Sequence, residues 1–341
     1  QFTQFGHTPP LDVVIVDEAQ DLTKLQWRMC EKIWANSKRV YISGDDDQTI
    51  FRWAGADIEH LIKMDGNISV LNQSYRVPLD VHLIATQVVS RIKNRRPKEW
   101  APRAYKGEVR YHAYPGAVDV SEGNWLALAT CSYMLNDIEE DLRHLGLPYT
   151  IYGKTPIKQD LLKAISAWKR LNQFEQLNYN DVAAIYANLK TGFNIKRGYK
   201  TLKTLEEGQM YDLESLTMHH GLINAGVPWD VAFTTIGEKD KSYVMSLEKH
   251  GGLGVDPKIN LSTIHMAKGG ECDNVMLLTD LSYGPYKAST ETQQGRDDEA
   301  RVFYVGMTRA KKKLVIVRRT EAQFEYEPIF FHERQESGRF Y

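Results

Sequence analysis

The chain has 341 residues, of which 42% are hydrophobic and 26% charged, and its formal net charge is −1. That is the make-up of a globular protein with room for two domains, without the basicity of a protein that coats nucleic acid. No apolar run approaches the roughly 20 residues of a membrane span, the first residues do not read as a signal peptide, and Cys30, Cys131 and Cys272 are scattered without a CxxC pair. The cysteines argue for free thiols in a reducing compartment, expected to be the cytoplasm of a bacterium or of a phage host, and against structural zinc.

In chain order, the first predicted element is a strand over residues 11–17. Its apolar run Val13-Val14-Ile15-Val16 delivers Asp17 and Glu18 to the carboxyl end, where open α/β sheets bind ligands. One acid there can hold Mg²⁺ and its neighbour can position a water, as in the Walker B half of an NTPase site. A helical pattern near Leu25–Trp34 leads to a second strand over 39–43, which runs into Gly44-Asp45-Asp46-Asp47-Gln48. This is βαβ logic and predicts a parallel sheet. The three aspartates read as solvated turn and capping residues rather than as three metal ligands. Gln48 can both donate and accept, which suits sensing a γ-phosphate and its water.

Further strands are predicted at Ile68–Leu71, Glu108–Ala113, Trp125–Thr130, Tyr149–Tyr152, Asn260–Ile264, Asn274–Leu278 and Lys313–Val317. Helices are predicted at Leu79–Ile92, Asp137–Leu145 and Glu299–Ala310. Gly146 and Pro148 form a stop signal after the second of these. Residues 158–256 are rich in Tyr, Asn and Lys, mostly helical in pattern, and break the strand rhythm. Lys311, Lys312 and Lys313 read as a solvated basic turn. Charge is uneven: residues 1–65 carry eleven acids and seven bases, whereas residues 296–320 carry three acids and eight bases. An acidic, metal-holding half facing a basic, phosphate-holding half would account for this, and so would solvated faces of opposite sign.

Five blocks in order, VDEAQD (16–21), GDDDQTIFRWAGAD (44–57), LNQSYRVP (71–78), LSTIHMAKGGECDNVMLL (261–278) and EARVFYVGMTRAKKKLVIV (299–317), resemble the UvrD/Rep/PcrA-like superfamily 1 DNA helicases. The resemblance implies an α/β fold of RecA-like parallel sheets. It assigns residues 1–65 to the C-terminal half of a first RecA-like domain, 66–157 and 257–341 to a second, and 158–256 to an inserted helical subdomain. It implies ATP and Mg²⁺ as cofactors, and single-stranded DNA and duplex junctions as partners. By resemblance Asp17 binds Mg²⁺, Glu18 orients the attacking water and Gln48 senses the γ-phosphate. Tyr75 stacks on adenine, Arg76 and Arg309 reach the phosphates, and Glu271 accepts a ribose hydroxyl. Trp53 stacks on a DNA base, while Thr263, His265 and Lys268 lie near the DNA backbone. By spacing alone Trp53 reads equally as a core tryptophan, and His265 as a structural histidine. Two departures stand out. Ala54 replaces the arginine that usually follows the tryptophan, and Gly270-Glu271-Cys272 replaces Leu-Glu-Phe.

The family's phosphate loop, GxxxxGK[ST], does not occur in these residues. Gly153-Lys154-Thr155 fails the pattern because Pro148 stands at the first glycine. The expectation is an N-terminally truncated ATP-dependent helicase, translocating 3′→5′ as the parent enzyme and with little ATPase activity as this chain alone. Two rivals accompany it: a non-catalytic single-stranded-DNA-binding module, and a Mg²⁺-dependent phosphoesterase using Asp17, Glu18 and Asp45–Asp47.

Overall fold

A computed structural model describes residue 3 and residues 6–327. The aromatic and charged stretch after Thr320 lies outside the described residues from position 328 on. The strands among the described residues are β1 (Val13–Val16), β2 (Arg39–Ile42), β3 (Glu108–His112), β4 (Trp125–Ala129), β5 (Tyr149–Ile151), β6 (Leu177–Asn178), β7 (Met210–Tyr211), β8 (Ile259–Thr263), β9 (Cys272–Leu278) and β10 (Ala310–Val317). The chain forms two compact units. One comprises the described residues up to 139 and from 258 on, the other residues 140–257.

In the first unit β1 and β2 pair in parallel, from Val13 opposite Arg39 to Val16 opposite Ile42. The helix Lys24–Trp34 makes the crossover that a parallel pair requires. It starts where it does because Thr23 and Gln26 cap each other: the Gln26 amide donates to Thr23 Oγ1 (3.3 Å) and the Thr23 amide to Gln26 Oε1 (2.8 Å). Its Trp27 is buried and stacks on His60 at 4.3 Å. Five further strands pair in the order β3-β10-β9-β4-β8, every neighbour parallel. β4 is buried at every position, the continuous apolar run of a strand covered on both faces. Val81, Ala85 and Val88 of the helix Leu79–Val89 join Phe303, Val305 and Met307 of the helix Gln293–Met307 in one core with Val275, Leu277, Leu314 and Ile316. Gly306 permits the close approach, since a Cβ there would stand 3.0 Å from Leu277 Cδ1. The fold is α/β with parallel sheets, of the RecA-like kind that the sequence implied.

The second unit is mainly helical. It contains Gln159–Asn172, Tyr179–Asn188, Leu213–His219, Trp229–Ala232 and Glu238–His250, with β6 and β7 as an antiparallel pair. Trp168, Leu171, Ile185, Tyr186 and Phe233 are buried together as its core. The Trp168 indole N–H donates to the Val227 carbonyl at 3.0 Å, which satisfies the polar end of a buried ring. Gly146 has φ +62°, and a Cβ there would lie 2.4 Å from the Ser246 carbonyl oxygen. The predicted stop is therefore glycine for two separate reasons.

Three expectations are corrected. Ile68–Leu71 forms no strand. Ile68 and Leu71 face solvent, and no strand among the described residues offers this run a ladder. Lys311–Lys313 are not a solvated turn. They lie in β10 and pair with acids on the neighbouring strands and the turn before β9: Lys311 with Glu271 (3.2 Å), Lys312 with Asp273 (2.9 Å) and Lys313 with Glu108 (3.4 Å).

Nor are Asp45–Asp47 solvated, for Asp46 and Asp47 are buried. Lys98 Nζ lies 2.8 Å from Asp45 Oδ1 and 3.0 Å from Asp47 Oδ2, and it also contacts Asp46. Arg95 grips Asp47 through Nε (2.8 Å) and Nη2 (2.6 Å). The fully buried Arg301 donates from Nε to the Asp46 carbonyl (2.9 Å) and from Nη2 to the Asn94 carbonyl (2.5 Å). This charged knot ties the loop after β2 to residues 94–98 and to the long helix 293–307. Only the capping part of the expectation holds: the Asp47 amide donates to Asp45 Oδ1 at 3.1 Å.

Breaking a buried pair leaves an uncompensated charge. Asp47→Ala is therefore expected to cost about 3–5 kcal/mol, read as a fall in the urea midpoint. Glu299 supplies a pH test. Burial, with Asp298 beside it, pushes its carboxyl up to about 7 from an ordinary 4.5. The folded state then holds this proton more tightly than the unfolded state. Stability from this group is greatest below about pH 4.5 and declines as pH rises towards 7. Glu299→Gln should remove that slope and stabilise the protein at pH 8 by up to roughly 3 kcal/mol. Thermal unfolding of both forms at several pH values between 5 and 8 checks this.

Candidate active site

β1 ends at Asp17, whose Oδ1 accepts from Ser43 Oγ (2.5 Å) and from the Glu18 amide (2.9 Å). The Ser43 hydroxyl first, and the Glu18 amide second, hold this exposed carboxyl below its ordinary range. Glu18 follows in the left-handed region at φ 51°, ψ 37°. A non-glycine residue there carries backbone strain, which recurs where a side chain must be aimed. Its Oε2 accepts from Gln20 Nε2 at 2.6 Å. Gln20 is buried, and its Oε1 accepts from the Asp45 amide at 3.0 Å. Gly44 makes room for this bridge, because a Cβ at that position would stand 2.8 Å from Gln20 Oε1.

The link continues through Gln48. Its Nε2 donates to Asp45 Oδ2 at 2.7 Å, and its Oε1 accepts from Arg309 Nη2 at 3.3 Å. Arg309 follows the long helix and is buried. Its Nε donates to the Val305 carbonyl (2.9 Å) and its Nη1 to the Gly270 carbonyl (3.1 Å). A hydrogen-bonded series therefore runs Glu18, Gln20, Asp45, Gln48, Arg309, and joins the acid after β1 to the arginine before β10. Burial first, and Arg76 second, bring the Arg309 guanidinium down to about 10, still protonated at neutral pH. Burial also lowers Arg76, against the opposing pull of Glu271 and Tyr304. The Arg76 Nε is buried without a hydrogen-bond partner. Among the described residues neither arginine has a carboxylate within ion-pair distance. Two close guanidinium groups, one with an unused donor, make a cradle for a polyanion.

Lys268, assigned to the DNA-contacting turn by resemblance, faces the acids after β1. Its ammonium is buried, 2.5 Å from Asp21 Oδ2, 2.8 Å from the Gln48 carbonyl and 3.9 Å from Glu18 Oε2. It also lies 5.3 Å from the Phe51 ring centroid. The turn that presents it closes at Gly269, which has φ +82°. Asp21 is raised by burial, with Lys268 opposing. Glu271 pairs with Lys311 on the Arg76 side. Tyr75 is 87% exposed beside Arg76, so it is open to stacking.

Trp53 is 76% exposed and not a core residue. It forms an aromatic group with His265 (6.2 Å) and Phe51 (6.5 Å), next to the Lys268 turn. Burial lowers the His265 imidazole, which therefore favours its neutral form. Thr263 ends β8, and its Oγ1 accepts from the Met266 amide at 3.3 Å. The structure thus brings Glu18, Gln48, Lys268, Arg309, Arg76 and Glu271 into one connected set, and Trp53, His265 and Thr263 into an adjoining surface. The sequence reading missed Gln20, although it lies within the first block. It also missed Ser43, Arg95 and Lys98, whose partners are remote in sequence. Of the carboxylates invoked for a phosphoesterase, Asp45, Asp46 and Asp47 are engaged by Lys98 and Arg95, which leaves Asp17 and Glu18.

Asp17 fits a Mg²⁺ site by its chemistry. It is an exposed, readily ionised oxygen donor beside a hydroxyl, and Mg²⁺ typically needs only one or two carboxylates with substrate phosphates.

Comparison with known proteins finds sequence similarity to helicases. The UvrD/REP helicase N-terminal domain family matches residues 8–69, and the UvrD-like helicase C-terminal domain family matches residues 241–321. A probable DNA helicase II homolog of Rickettsia conorii is 24% identical over 93% of this chain and 62% of its own length. The ATP-dependent DNA helicase PcrA of Bacillus subtilis is 24% identical over 88% of this chain and 54% of its own. DNA helicase II of Haemophilus influenzae is 22% identical over 89% and 54%. The chain thus spans between about half and three-fifths of the length of these relatives. With both family domains matched in order along the chain, the protein is similar to the UvrD/Rep/PcrA-like superfamily 1 helicases at its N-terminal and C-terminal parts alike.

Proposed function

We propose that this set of residues serves an ATP-dependent DNA helicase that translocates along single-stranded DNA in the 3′→5′ direction and unwinds duplex at junctions. The observation that carries the reading is the pair Arg76 and Arg309: a half-buried guanidinium with an unused Nε donor beside a buried one that is joined through Gln48 to a water-orienting acid. Mg²⁺, held through Asp17, would supply charge neutralisation on the phosphates. Glu18, held at its carboxylate by Gln20 Nε2, orients and deprotonates the attacking water. Arg309 and Arg76 meet the charge that develops on the transferred phosphoryl group, a role that contributes roughly 10³–10⁵ in rate where arginine supplies it. Gln48 reports the state of the γ-phosphate, while Tyr75 and Glu271 hold base and ribose. Residues 1–65 act as the C-terminal half of the first RecA-like domain, 66–157 and 257–341 as the second, and 158–256 as a helical subdomain that regulates unwinding.

The DNA face is Trp53 with His265 and Thr263. Phe51 and Lys268 connect it to Gln48 and Glu18, so the grip on a base and the state of the nucleotide share neighbours. In this reading Lys268 acts at the boundary between the two. A bacterial or phage-host cytoplasm suits such a substrate, and no helix among the described residues is long and apolar enough to cross a membrane.

The direct test is binding and turnover by the purified chain. Single-stranded DNA should quench Trp53 fluorescence, and Trp53→Ala should weaken binding by about 5- to 150-fold, the worth of one stacked base. The 341 residues contain no GxxxxGK[ST] run, so ATP turnover by this polypeptide alone is expected to be weak. In a form of the protein that turns ATP over, Glu18→Gln should lower kcat by about 10²–10⁴ and leave DNA affinity unchanged. DNA binding that is indifferent to nucleotide in every form would favour the non-catalytic binding module instead.

A further inference from the structure

Lys98 lies outside all five sequence blocks, yet its ammonium touches Asp45, Asp46 and Asp47 together. The consequence for the active site follows from how Asp45 divides its two oxygens. Oδ1 accepts from Lys98 Nζ (2.8 Å) and from the Asp47 amide (3.1 Å), whereas Oδ2 accepts from Gln48 Nε2 (2.7 Å). Lys98 and the Asp47 amide therefore fix the plane of the carboxylate, and that plane presents Oδ2 to the glutamine. With its Nε2 engaged, Gln48 has one way to face the arginine: Oε1 towards Arg309 Nη2 at 3.3 Å. An amide turned the other way would set its N–H₂ against a guanidinium that carries only donors.

We propose that Lys98 is a positioning residue for Gln48: by pinning Asp45 it decides which end of the glutamine amide meets Arg309 and the γ-phosphate side of the cleft. Arg95 supports it from behind by occupying both oxygens of Asp47, so that Lys98 remains shared with Asp45. Burial opposes ionisation of Asp45, and Lys98 overrides it, so the carboxyl stays below its ordinary range. The effect on turnover rests on the reading of Gln48 as the phosphate sensor. The effect on the orientation of Gln48 does not.

The test separates these two. The side-chain amide protons of Gln48 are followed by ¹⁵N NMR in the 341-residue chain and assigned by their loss in Gln48→Glu. Lys98→Met should speed their exchange with solvent by about tenfold, the worth of one hydrogen bond. The amides of β4 and β9 should keep their protection. Should Lys98→Met fail to fold, the double variant Lys98→Leu with Asp46→Asn removes one charge of each sign and still abolishes the hydrogen bond to Asp45. The same gain in exchange is expected there. A purely structural role for the knot would lower the melting temperature and leave the Gln48 amide protected; that result in a folded variant overturns the proposal. In a form that hydrolyses ATP, Lys98→Met should lower kcat at unchanged single-stranded-DNA affinity. If the Gln48 amide loosens while no form of the protein turns ATP over, the positioning role stands and the ATPase reading fails.

Discussion

Like charges do not stay close in a low-dielectric interior without cause, and Arg76 and Arg309 are such a pair. Burial lowers both guanidinium groups and Arg76 lowers Arg309 further, while Glu271 opposes from beyond ion-pair distance. Hydrogen bonds to the Val305 and Gly270 carbonyls hold Arg309 in place but do not cancel its charge. The arrangement is unfavourable for folding and favourable for a polyphosphate, whose arrival would relieve it. A site that is destabilised until its ligand binds is a recurrent property of functional surfaces.

The fold supports this cost by spending its carboxylates elsewhere. Asp45, Asp46 and Asp47 sit a short distance from the two arginines along the chain of contacts, yet Lys98, Arg95 and Arg301 hold them. Buried ion pairs of this kind add little net stability over an apolar replacement, because desolvation offsets most of the attraction. What they supply here is register. The knot fixes the loop that carries Gln48 against the helix that leads to Arg309, so the glutamine and the arginine meet at hydrogen-bond distance. Glu18 joins the same series through Gln20, and the strain in its backbone is held by the strand before it and the bridge after it.

Elements decided by local pattern were legible in the sequence. The βαβ unit from β1 to β2 follows from apolar runs around a capped helix, and β4 and the later halves of β9 and β10 follow from runs too apolar to face water. The acids after β1 and the arginine after the long helix could be assigned a shared purpose because five blocks occurred in order. Ile68–Leu71 has the same apolar look as a strand, but pairing is a property of the neighbour, and here there is none among the described residues. Lys98 and Arg301 were invisible for a related reason: their partners lie about fifty and more than two hundred residues away in sequence. Charge runs such as Asp45–Asp47 and Lys311–Lys313 look solvated one at a time and become structural only when the opposite charges fold against them.

The central claim is that acids after β1, the glutamine after β2 and the two arginines close on one nucleotide–metal site. Paramagnetic broadening by Mn²⁺–ATP tests it most directly, with Mn²⁺ standing in for Mg²⁺. The account predicts that the Nε–H signals of Arg76 and Arg309 and the side-chain amide of Gln48 broaden together on titration, and that all three recover in Asp17→Ala. Broadening confined to the neighbourhood of Asp17, with both arginine signals untouched at saturating Mn²⁺–ATP, would contradict it.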